Sequence, residues 1–357
     1  MSKSAKISTP LRADSIRALA SWFKRRQRVL PWREDPSLYR VWISEIMLQQ
    51  TQVAAVVPYF ERFIRTFPTV ESLAQASESE VLKLWEGLGY YARARNLKRA
   101  AELIRHSGFP NTREGWLALP GVGPYTAGAV LSISLNQPEA ILDGNVERVL
   151  SRFACVSRHT GESQYKVALW NFSRAWVKKG KRIGVRPRIL NQALMELGAL
   201  VCTPKSPKCE VCPLVQTCGA YKSDAVEKFP EKKQPKKWIQ IYEKLYAVYD
   251  REGRVALKLR LKGEWRAGLW DLVTEKPGRG FKKIGAVETQ HVVTRHKISR
   301  KTEIWQGSVK IQVGHYEDPR SVQVPMGSAL TKTLRAIRER FPEVERSSEE
   351  PASASSH

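Results

Sequence analysis

Apolar and polar residues recur with two different periods along this chain, and the change of period divides it. From residue 11 to residue 220, apolar side chains return every three or four positions, which is the spacing of amphipathic helices. The segments that show this best are ADSIRALASWFKRRQ, SEIMLQQTQVAAVVPYFERFIRTF, SESEVLKLWEGLGYY and ARNLKRAAELIRHS. Strand-like alternation is nearly absent there, so residues 1–221 are predicted to form an all-α domain.

A period of two begins after a segment rich in Lys, Pro and Glu. That segment, residues 222–238, has little apolar content and is predicted to be a basic linker. Further on, IQIYEKLYAVYDREGRVALKLRLK is typical of two strands around an Asp-Arg-Glu-Gly turn, and HVVTRHKISRKTEIWQGSVKIQV of another strand pair. A helical pattern returns at MGSALTKTLRAIRERF. We therefore predict a mixed α+β domain over residues 239–342 and a disordered tail over residues 343–357.

The charge of the chain indicates a class of partner. Lys and Arg total 60 against 35 acidic residues, which gives a formal charge of +25, and the basic residues are spread along most of the 357 positions. A field of that size favours a polyanion, and nucleic acid is the obvious candidate. A ribosome-associated or merely soluble basic protein would have the same composition.

Composition also bounds the compartment. No apolar run approaches the ~20 residues needed to cross a bilayer, and the N-terminal stretch MSKSAKISTPLRADS has no apolar signal segment. We therefore expect an intracellular, cytoplasmic monomer without a membrane partner, associated with the nucleoid if its source is bacterial.

Four of the five cysteines lie close together, as Cys202, Cys209, Cys212 and Cys218. Thiols of an intracellular protein stay reduced, so this array is predicted to hold a metal. Zinc sites usually pair two short Cys-x2–4-Cys knuckles, whereas only one such knuckle is present here. Four thiolates also hold four-iron clusters, so the spacing alone leaves zinc and iron–sulfur equally open. Cys155 lies outside the array and is interpreted as a small core residue.

A glycine-containing turn interrupts the helical pattern within LALPGVGPYTAGAVLSISL. Gly121, Val122 and Gly123 allow a tight turn that exposes backbone N–H groups beside the start of a helix, where they can bind a phosphate without reading sequence. An ordinary turn between two helices is the alternative. Together with the charge of the chain, the turn favours binding to the DNA backbone.

Two carboxylates stand in contrasting contexts. Glu45 lies on an apolar helix face in VWISEIMLQQTQV, where lost hydration should raise its pKa, unless it pairs with one of the many arginines. Asp143 precedes the periodic residues of AILDGNVERVLSRF, at the place of a helix N-cap. Backbone N–H groups and the helix dipole should keep that carboxylate ionised. One protonated and one ionised carboxyl group would form an acid and an electrostatic partner.

These motifs together resemble a known family. LPWRxxxxxYxVWISEIMLQQTQV, LWEGLGYYARARNL, LPGVGPYTAGAV, ILDGNVERVL, NQALMELGALVCT and the four-cysteine array are similar to adenine DNA glycosylases of the MutY family, in the same order over almost all of residues 16–221. The resemblance implies an all-α helix-hairpin-helix glycosylase domain whose Cys202, Cys209, Cys212 and Cys218 hold a [4Fe–4S] cluster. It continues more weakly through RAGLWDLV, which implies that the following α+β domain is Nudix-like.

The implied reaction is hydrolysis of the N-glycosidic bond of adenine mispaired with 8-oxoguanine or guanine in double-stranded DNA, after the adenosine leaves the duplex. By resemblance, Glu45 protonates adenine N7, and Asp143 stabilises the oxocarbenium-like sugar or captures it covalently before water attacks. Tyr125 and Asn145 position these groups. The resemblance places the adenine pocket at Leu30, Trp32, Arg33, Leu48 and Gln192. It places DNA contacts at Gln50 and Tyr90, which insert into the base stack, at the hairpin residues Gly121, Val122 and Gly123, and at His296.

Two features of the sequence, Tyr125 and the loop at residues 294–296, refine this prediction. The related endonuclease III enzymes have a catalytic lysine where this chain has Tyr125, so we expect a monofunctional glycosylase. The Nudix-like domain of the family usually reads 8-oxoguanine with a Phe-Ser-His loop, and the corresponding residues here are Thr294, Arg295 and His296, of which only the histidine matches. The alternative functions are an endonuclease III-like pyrimidine glycosylase and a non-catalytic iron–sulfur DNA-binding protein.

Overall fold

The chain divides into two compact units in a computed structural model that describes residues 10–231, 237–261, 263–293, 295–307 and 315–345. The first unit takes the described residues within Met1–Gln75 and Asn96–Lys233, and the second those within Ala76–Arg95 and Gln234–His357. No helix among the described residues is both long enough and apolar enough to span a membrane.

Helices account for the regular structure described between residues 10 and 231. They are α1 (Ala13–Arg26), α2 (Pro31–Glu34), α3 (Leu38–Leu48), α4 (Val53–Thr66), α5 (Val70–Gln75), α6 (Glu78–Leu84), α7 (Ala92–Ser107), α8 (Arg113–Leu117), α9 (Pro124–Leu135), α10 (Gly144–Ala154), α11 (Glu162–Arg182), α12 (Pro187–Leu200) and α13 (Gly219–Lys222), with 3-10 turns at Arg158–Thr160, Cys209–Val211, Val215–Thr217 and Val226–Lys228. The predicted all-α character of this region is confirmed.

Helix α9 lies at the centre of the first unit. Its residues Thr126–Ile133 are all buried, because the helix is apolar or small on every side and packs against α3 and α12. Helix α12 also packs against α10. Gly198 permits that approach, since a Cβ atom there would lie 2.7 Å from Cβ of Asn145. Helices α3, α9, α10 and α12 thereby bring the predicted catalytic positions together.

The second unit is built on a six-stranded sheet. Its strands are β1 (Ile239–Tyr249), β2 (Val255–Leu259), β3 (Trp270–Leu272), β4 (Phe281–Val293), β5 (His296–Gly307) and β6 (His315–Glu317), and α14 (Ser328–Arg340) follows them. The strand order is β3-β2-β1-β5-β4, with β6 on β2; β1 and β5 are parallel and the other pairs antiparallel. Apolar residues of the strands and of α14 form the core.

A buried charge network ties three strands of this sheet together. The Arg300 guanidinium, with no exposed surface in its side chain, donates to both Asp271 carboxylate oxygens at 3.0 and 2.8 Å. Its Nε also donates to Glu243 at 3.0 Å. The network joins β5 to β3 and β1, and a buried cation needs such pairing.

Residues 76–95 belong to the second unit through hydrogen bonds to its loops. The Lys83 ammonium donates to the Val322 carbonyl at 2.6 Å, the Tyr91 hydroxyl to the Met326 carbonyl at 2.8 Å, and the Arg95 guanidinium to the Ala267 carbonyl at 2.7 Å. The prediction of one domain over residues 1–221 did not include the assignment of residues 76–95 to the second unit. A helical period carries no information about the tertiary partner of a helix.

The predicted elements of the second domain agree with the structure except at their ends. The β1–β2 hairpin and α14 are confirmed, whereas β4 begins ten residues before the predicted strand pair. The domain also continues past residue 342, since a 3-10 turn at Pro342–Glu345 buries Val344 completely. The rest of the predicted tail, part of the linker (232–236), residues 308–313 and Thr294 lie outside the described residues.

Candidate active site and iron–sulfur centre

One open cleft in the first unit gathers most of the predicted site residues. It encloses about 1970 Å³, including space open to solvent. Of the predicted residues it is lined by Leu30, Trp32, Arg33, Glu45, Leu48, Gln50, Gly121, Gly123, Tyr125, Asp143, Asn145 and Gln192. Val122 does not line the cleft and is buried. Tyr90 and His296 belong to the second unit.

Glu45 is a buried acid within this cleft, and its side chain points to a tyrosine. Only 4% of the residue is exposed, and the Tyr125 hydroxyl donates to its Oε2 at 2.7 Å. Burial raises the Glu45 pKa to about 7, against the opposing effect of the Tyr125 hydrogen bond, and the neighbouring Asp143 carboxylate raises it further. Among the described residues, no Lys or Arg forms an ion pair with Glu45, so the paired alternative is not observed.

Asp143 is the N-cap of α10, as predicted. Its Oδ1 accepts a hydrogen bond from the Val146 N–H at 2.7 Å, and Oδ2 accepts one from the Asn145 amide at 3.2 Å. The hydrogen bonds lower the Asp143 pKa as predicted, but the net shift is upward. Loss of hydration in the cleft outweighs the hydrogen bonds and the nearby Arg148, so the Asp143 pKa is raised above its ordinary value.

Tyr125 joins the two carboxyl groups electrostatically. Burial raises its pKa well above the ordinary value, and both Glu45 and Asp143 add to the effect, so the phenol stays protonated. The hydroxyl also contacts Sδ of Met195 at 3.1 Å. Glu45 and Asp143 therefore share one cleft and one neighbour, and the repulsion between them disfavours ionisation of both at once.

An ion-pair cluster that the sequence analysis did not name supports one wall of the cleft. Glu196 has 1% of its side chain exposed and accepts hydrogen bonds from Arg28 at 2.9 and 2.8 Å and from Arg33 at 3.0 Å. Burial alone would raise the Glu196 pKa, but these hydrogen bonds lower it to about 2. The cluster fixes the segment that carries Leu30 and Trp32. The sequence signal that could have identified Glu196 is an acid on the apolar helix face of NQALMELGAL, the same signal that identified Glu45.

The hairpin between α8 and α9 has the geometry predicted for phosphate binding. Gly121 has φ +76°, and a Cβ there would meet Cβ of Asn96 at 2.7 Å, so only glycine fits. Gly123 is the N-cap of α9, and Pro124 follows at the first helical position. The N–H groups of the first helical turn have no partner within the helix. Such a helix start, together with its dipole, is suited to bind an anion, and this one lies beside Tyr125.

The two residues predicted to insert into DNA share an uncommon backbone conformation. Gln50 has φ +59° and Tyr90 has φ +50°, in the left-handed region that residues other than glycine seldom adopt. Gln50 is exposed in the turn after α3, and Tyr90 has 41% of its surface exposed. In the second unit, His296 contacts the ring of Trp265 with a centroid distance of 5.1 Å.

The four clustered cysteines line one cavity, whose remaining walls are largely apolar. Burial raises the Cys212 pKa to about 12 in the absence of metal, and a bound metal ion would itself favour the thiolate form. The Arg152 guanidinium contacts the Cys202 sulfur at 3.4 Å and donates to the Thr203 carbonyl at 2.7 Å. The donor set and its enclosure fit a thiolate-bound iron–sulfur cluster. Cys155 is half-buried at the C-terminus of α10 and does not line the cavity.

Comparison with known proteins identifies the family. Residues 43–174 match the family model described as "HhH-GPD superfamily base excision DNA repair protein", and residues 202–218 match "Iron-sulfur binding domain of endonuclease III". An adenine DNA glycosylase of Buchnera aphidicola subsp. Baizongia pistaciae is 36% identical over 244 residues, which cover 67% of this chain and 68% of that protein. This chain belongs to the adenine DNA glycosylase family. The four cysteines hold a [4Fe–4S] cluster.

Other members of the adenine DNA glycosylase family match a shorter stretch. Adenine DNA glycosylases of Buchnera aphidicola subsp. Schizaphis graminum and Schizosaccharomyces pombe are 44% and 40% identical over 210 and 242 residues, covering 58% and 61% of this chain. The chain spans 59% and 51% of the length of these two curated relatives. The solved structure of a thermostable thymine-DNA glycosylase matches 58% of this chain and 95% of its own, with a TM-score of 0.51 and 29% identity.

Proposed function

We propose that this protein removes adenine from double-stranded DNA in which the base is mispaired with 8-oxoguanine or guanine, by hydrolysis of the N-glycosidic bond. The observation that carries the proposal is the cleft that holds Glu45, Tyr125 and Asp143 together, in a chain of the adenine DNA glycosylase family. The protein would act in the compartment that contains the cell's DNA, and it would act as a monomer.

Glu45 acts as the general acid. With a pKa of about 7 it retains a proton on a substantial fraction of molecules near neutral pH. Within the part of the chain that the structure describes, Asp143 accepts two hydrogen bonds and Glu45 one, from Tyr125, so the ionised form is better stabilised at Asp143. Glu45 is therefore the carboxyl group that keeps its proton. Transfer to N7 of the extruded adenine neutralises the negative charge that would otherwise develop on the leaving base.

Asp143 stabilises the sugar that remains. As the base departs, positive charge develops on the deoxyribose, and an ionised carboxylate already fixed by the α10 N-terminus stabilises it without reorganisation. Asn145 orients the Asp143 carboxylate, and water completes the hydrolysis. Tyr125 supplies no amine for a Schiff base, so the phosphodiester backbone stays intact.

The second unit is proposed to be a Nudix-like module that reads the base opposite adenine. Its mixed sheet and α14 support that assignment, and His296 at the start of β5 matches one residue of the family's sensing loop. Tyr90 belongs to the same unit and would insert beside that base. Because adenine itself is undamaged, only its partner distinguishes a substrate from correct DNA.

A single-turnover glycosylase assay over duplexes with adenine opposite each base tests the proposal. Adenine release is expected opposite 8-oxoguanine and guanine, with strand cleavage only after alkali. Glu45→Gln should lower the rate about 10²–10⁴-fold, the usual contribution of a general acid, while duplex binding persists. Glu102→Gln is the matched control, since Glu102 is half exposed and pairs with Lys98.

Three results would contradict the proposal. Near-wild-type adenine release by Glu45→Gln would remove the acid from the mechanism. Release of thymine from a G:T pair with adenine untouched would favour a pyrimidine glycosylase. Cleavage of the strand without alkali would show lyase chemistry.

A further inference from the structure

A basic groove runs along α11 in the first unit, outside the active-site cleft. Arg113, Trp170, Arg174, Lys178, Lys181 and Arg182 line it together with Pro138–Ala140. We call it the α11 groove. None of the residues assigned to catalysis, base recognition or the cluster lines it.

The cations of α11 lie on one helix face. Trp170, Arg174, Lys178 and Arg182 follow one another at intervals of four residues, and Lys181 is beside them. Among the described residues, Arg174, Lys178, Lys181 and Arg182 make no ion pair. Like charges four residues apart destabilise a helix, so this stripe is an uncompensated field that an anionic ligand would relieve.

The groove is held in shape by its other wall. Arg113 donates to a Glu139 carboxylate oxygen at 2.6 Å and to the Pro124 carbonyl at 3.3 Å. The guanidinium groups of Arg113 and Arg174 lie 5.8 and 5.7 Å from the ring centroid of Trp170. Of the described residues that line the groove, Glu139 is the one acid, and Arg113 pairs with it.

We propose that the α11 groove binds the phosphate backbone of the duplex that flanks the mispair. This inference rests on the proposed function, which makes DNA the substrate. One end of the groove reaches the hairpin, since Arg113 contacts Pro124 at the first position of α9. A strand that leaves the phosphate site of the hairpin can therefore continue along α11.

The spacing of the cations suits a DNA strand. Arg174 and Arg182 are eight residues apart, about 12 Å along the helix axis. One strand of B-DNA carries one phosphate per about 3.4 Å along the axis of the duplex. A stripe parallel to that axis therefore spans about three or four phosphates. Exposed lysines and arginines that face a backbone add affinity without sequence preference, as a repair enzyme that meets its mispair in any sequence context requires.

Binding to duplexes of two lengths tests the proposal with the full holoenzyme. The short duplex covers about one helical turn around an A:8-oxoguanine pair. Two extended duplexes add about one further turn each, one on either side of the pair. Lys178→Gln/Arg182→Gln should weaken binding to one of the two extended duplexes by about tenfold and lower its salt slope by about two, since two phosphate contacts are lost. The short duplex, which does not reach the groove, should bind both proteins alike.

Arg62→Gln/Arg65→Gln is the matched control, because it removes two exposed arginines of α4 that do not line the groove. Lys181→Gln alone should lower the salt slope by about one and serves if the double variant is poorly folded. The proposal would be overturned if the groove variant bound both extended duplexes as tightly as wild type does, whether or not poly-glutamate is added as a competing polyanion. An equal loss of affinity in the control variant would overturn it as well. Adenine release by the wild-type protein is scored separately, so failure of the proposed activity is distinguishable from failure of the groove.

Discussion

At the scale of single residues, the site depends on a carboxyl group placed where water is scarce. Glu45 lies on α3 among apolar neighbours, and its one observed hydrogen-bond donor is the Tyr125 hydroxyl. Burial raises its pKa toward neutrality, which is the range in which an acid both holds a proton and gives it up readily. The same burial makes the ionised form of Glu45 unfavourable for folding.

Glu45→Gln should therefore alter stability in a pH-dependent manner. The folded-state pKa of Glu45, about 7, lies above its ordinary value of 4.5, so its contribution is present at low pH and is lost as the pH rises through 7. The variant should resemble wild type near pH 5 and be more stable near pH 8, by on the order of 2–3 kcal/mol.

Chemical denaturation of both proteins at the two pH values measures this difference, and Glu102→Gln serves again as the control. A stability difference that stays the same at both pH values would show that Glu45 is not perturbed by burial.

At the scale of elements, the helix N-termini place charge at the cleft. Asp143 is the N-cap of α10 and Gly123 that of α9, so one helix start holds a carboxylate and the other is suited to a phosphate. Both starts lie beside Tyr125 and line the same cleft.

Gly121→Ala should weaken DNA binding at the hairpin more than it destabilises the protein elsewhere. An alanine there would have to adopt φ +76° and would collide with Asn96, so the turn must shift. We expect a loss in affinity for undamaged and mispaired duplexes alike, on the order of tenfold, because a backbone contact carries no sequence information.

Equilibrium binding to both duplexes measures that loss. Gly108→Ala is the matched control, since Gly108 has the same φ of +76°, a Cβ there meets nothing within 4 Å, and the residue does not line the cleft. Selective loss for the mispaired duplex alone would contradict the phosphate role of the hairpin.

At the scale of the whole molecule, sequence order and compact units do not coincide. Residues 76–95, which carry Tyr90, are held by loops of the C-terminal part of the chain through Lys83, Tyr91 and Arg95. A segment from the middle of the helical region thus depends on residues more than 170 positions later for three hydrogen bonds.

Removing two of those bonds should loosen this segment without unfolding the rest. In Tyr91→Phe/Arg95→Met, amide hydrogen exchange over residues 78–91 should rise about tenfold or more, since each lost bond is worth about 1 kcal/mol. Exchange within α9 should not change. Mass spectrometry of peptides measures both regions, and Tyr39→Phe is the control, because the Tyr39 hydroxyl bonds the Phe67 carbonyl inside the first unit. Uniform acceleration in all peptides would contradict the local dependence.

Local pattern predicted the elements, the two carboxyl groups and the glycine turn, and the family resemblance supplied the other predicted residues of the cleft, whereas long-range effects escaped both. The buried acid at Glu45, the cap at Asp143 and the glycine turn follow from residue type and spacing over a few positions. The raised pKa of Asp143 depends on how closely other elements pack around it, and Glu196 depends on Arg28, 168 residues away. Hydrophobic periodicity likewise does not predict that β1 pairs in parallel with β5, or that residues 76–95 pack with the second unit.

At Gln50 and Tyr90 the folded chain already holds two bulky residues in a backbone shape that free peptides avoid. The folding of the surrounding helices offsets that unfavourable shape before any nucleic acid arrives. If the two side chains insert into DNA as expected from the resemblance, this presentation lowers the entropic cost of insertion and so favours affinity. Glycine at either position would relax the main chain and remove the inserting side chain together, so we expect one substitution to give both greater heat resistance and weaker binding to the mispair.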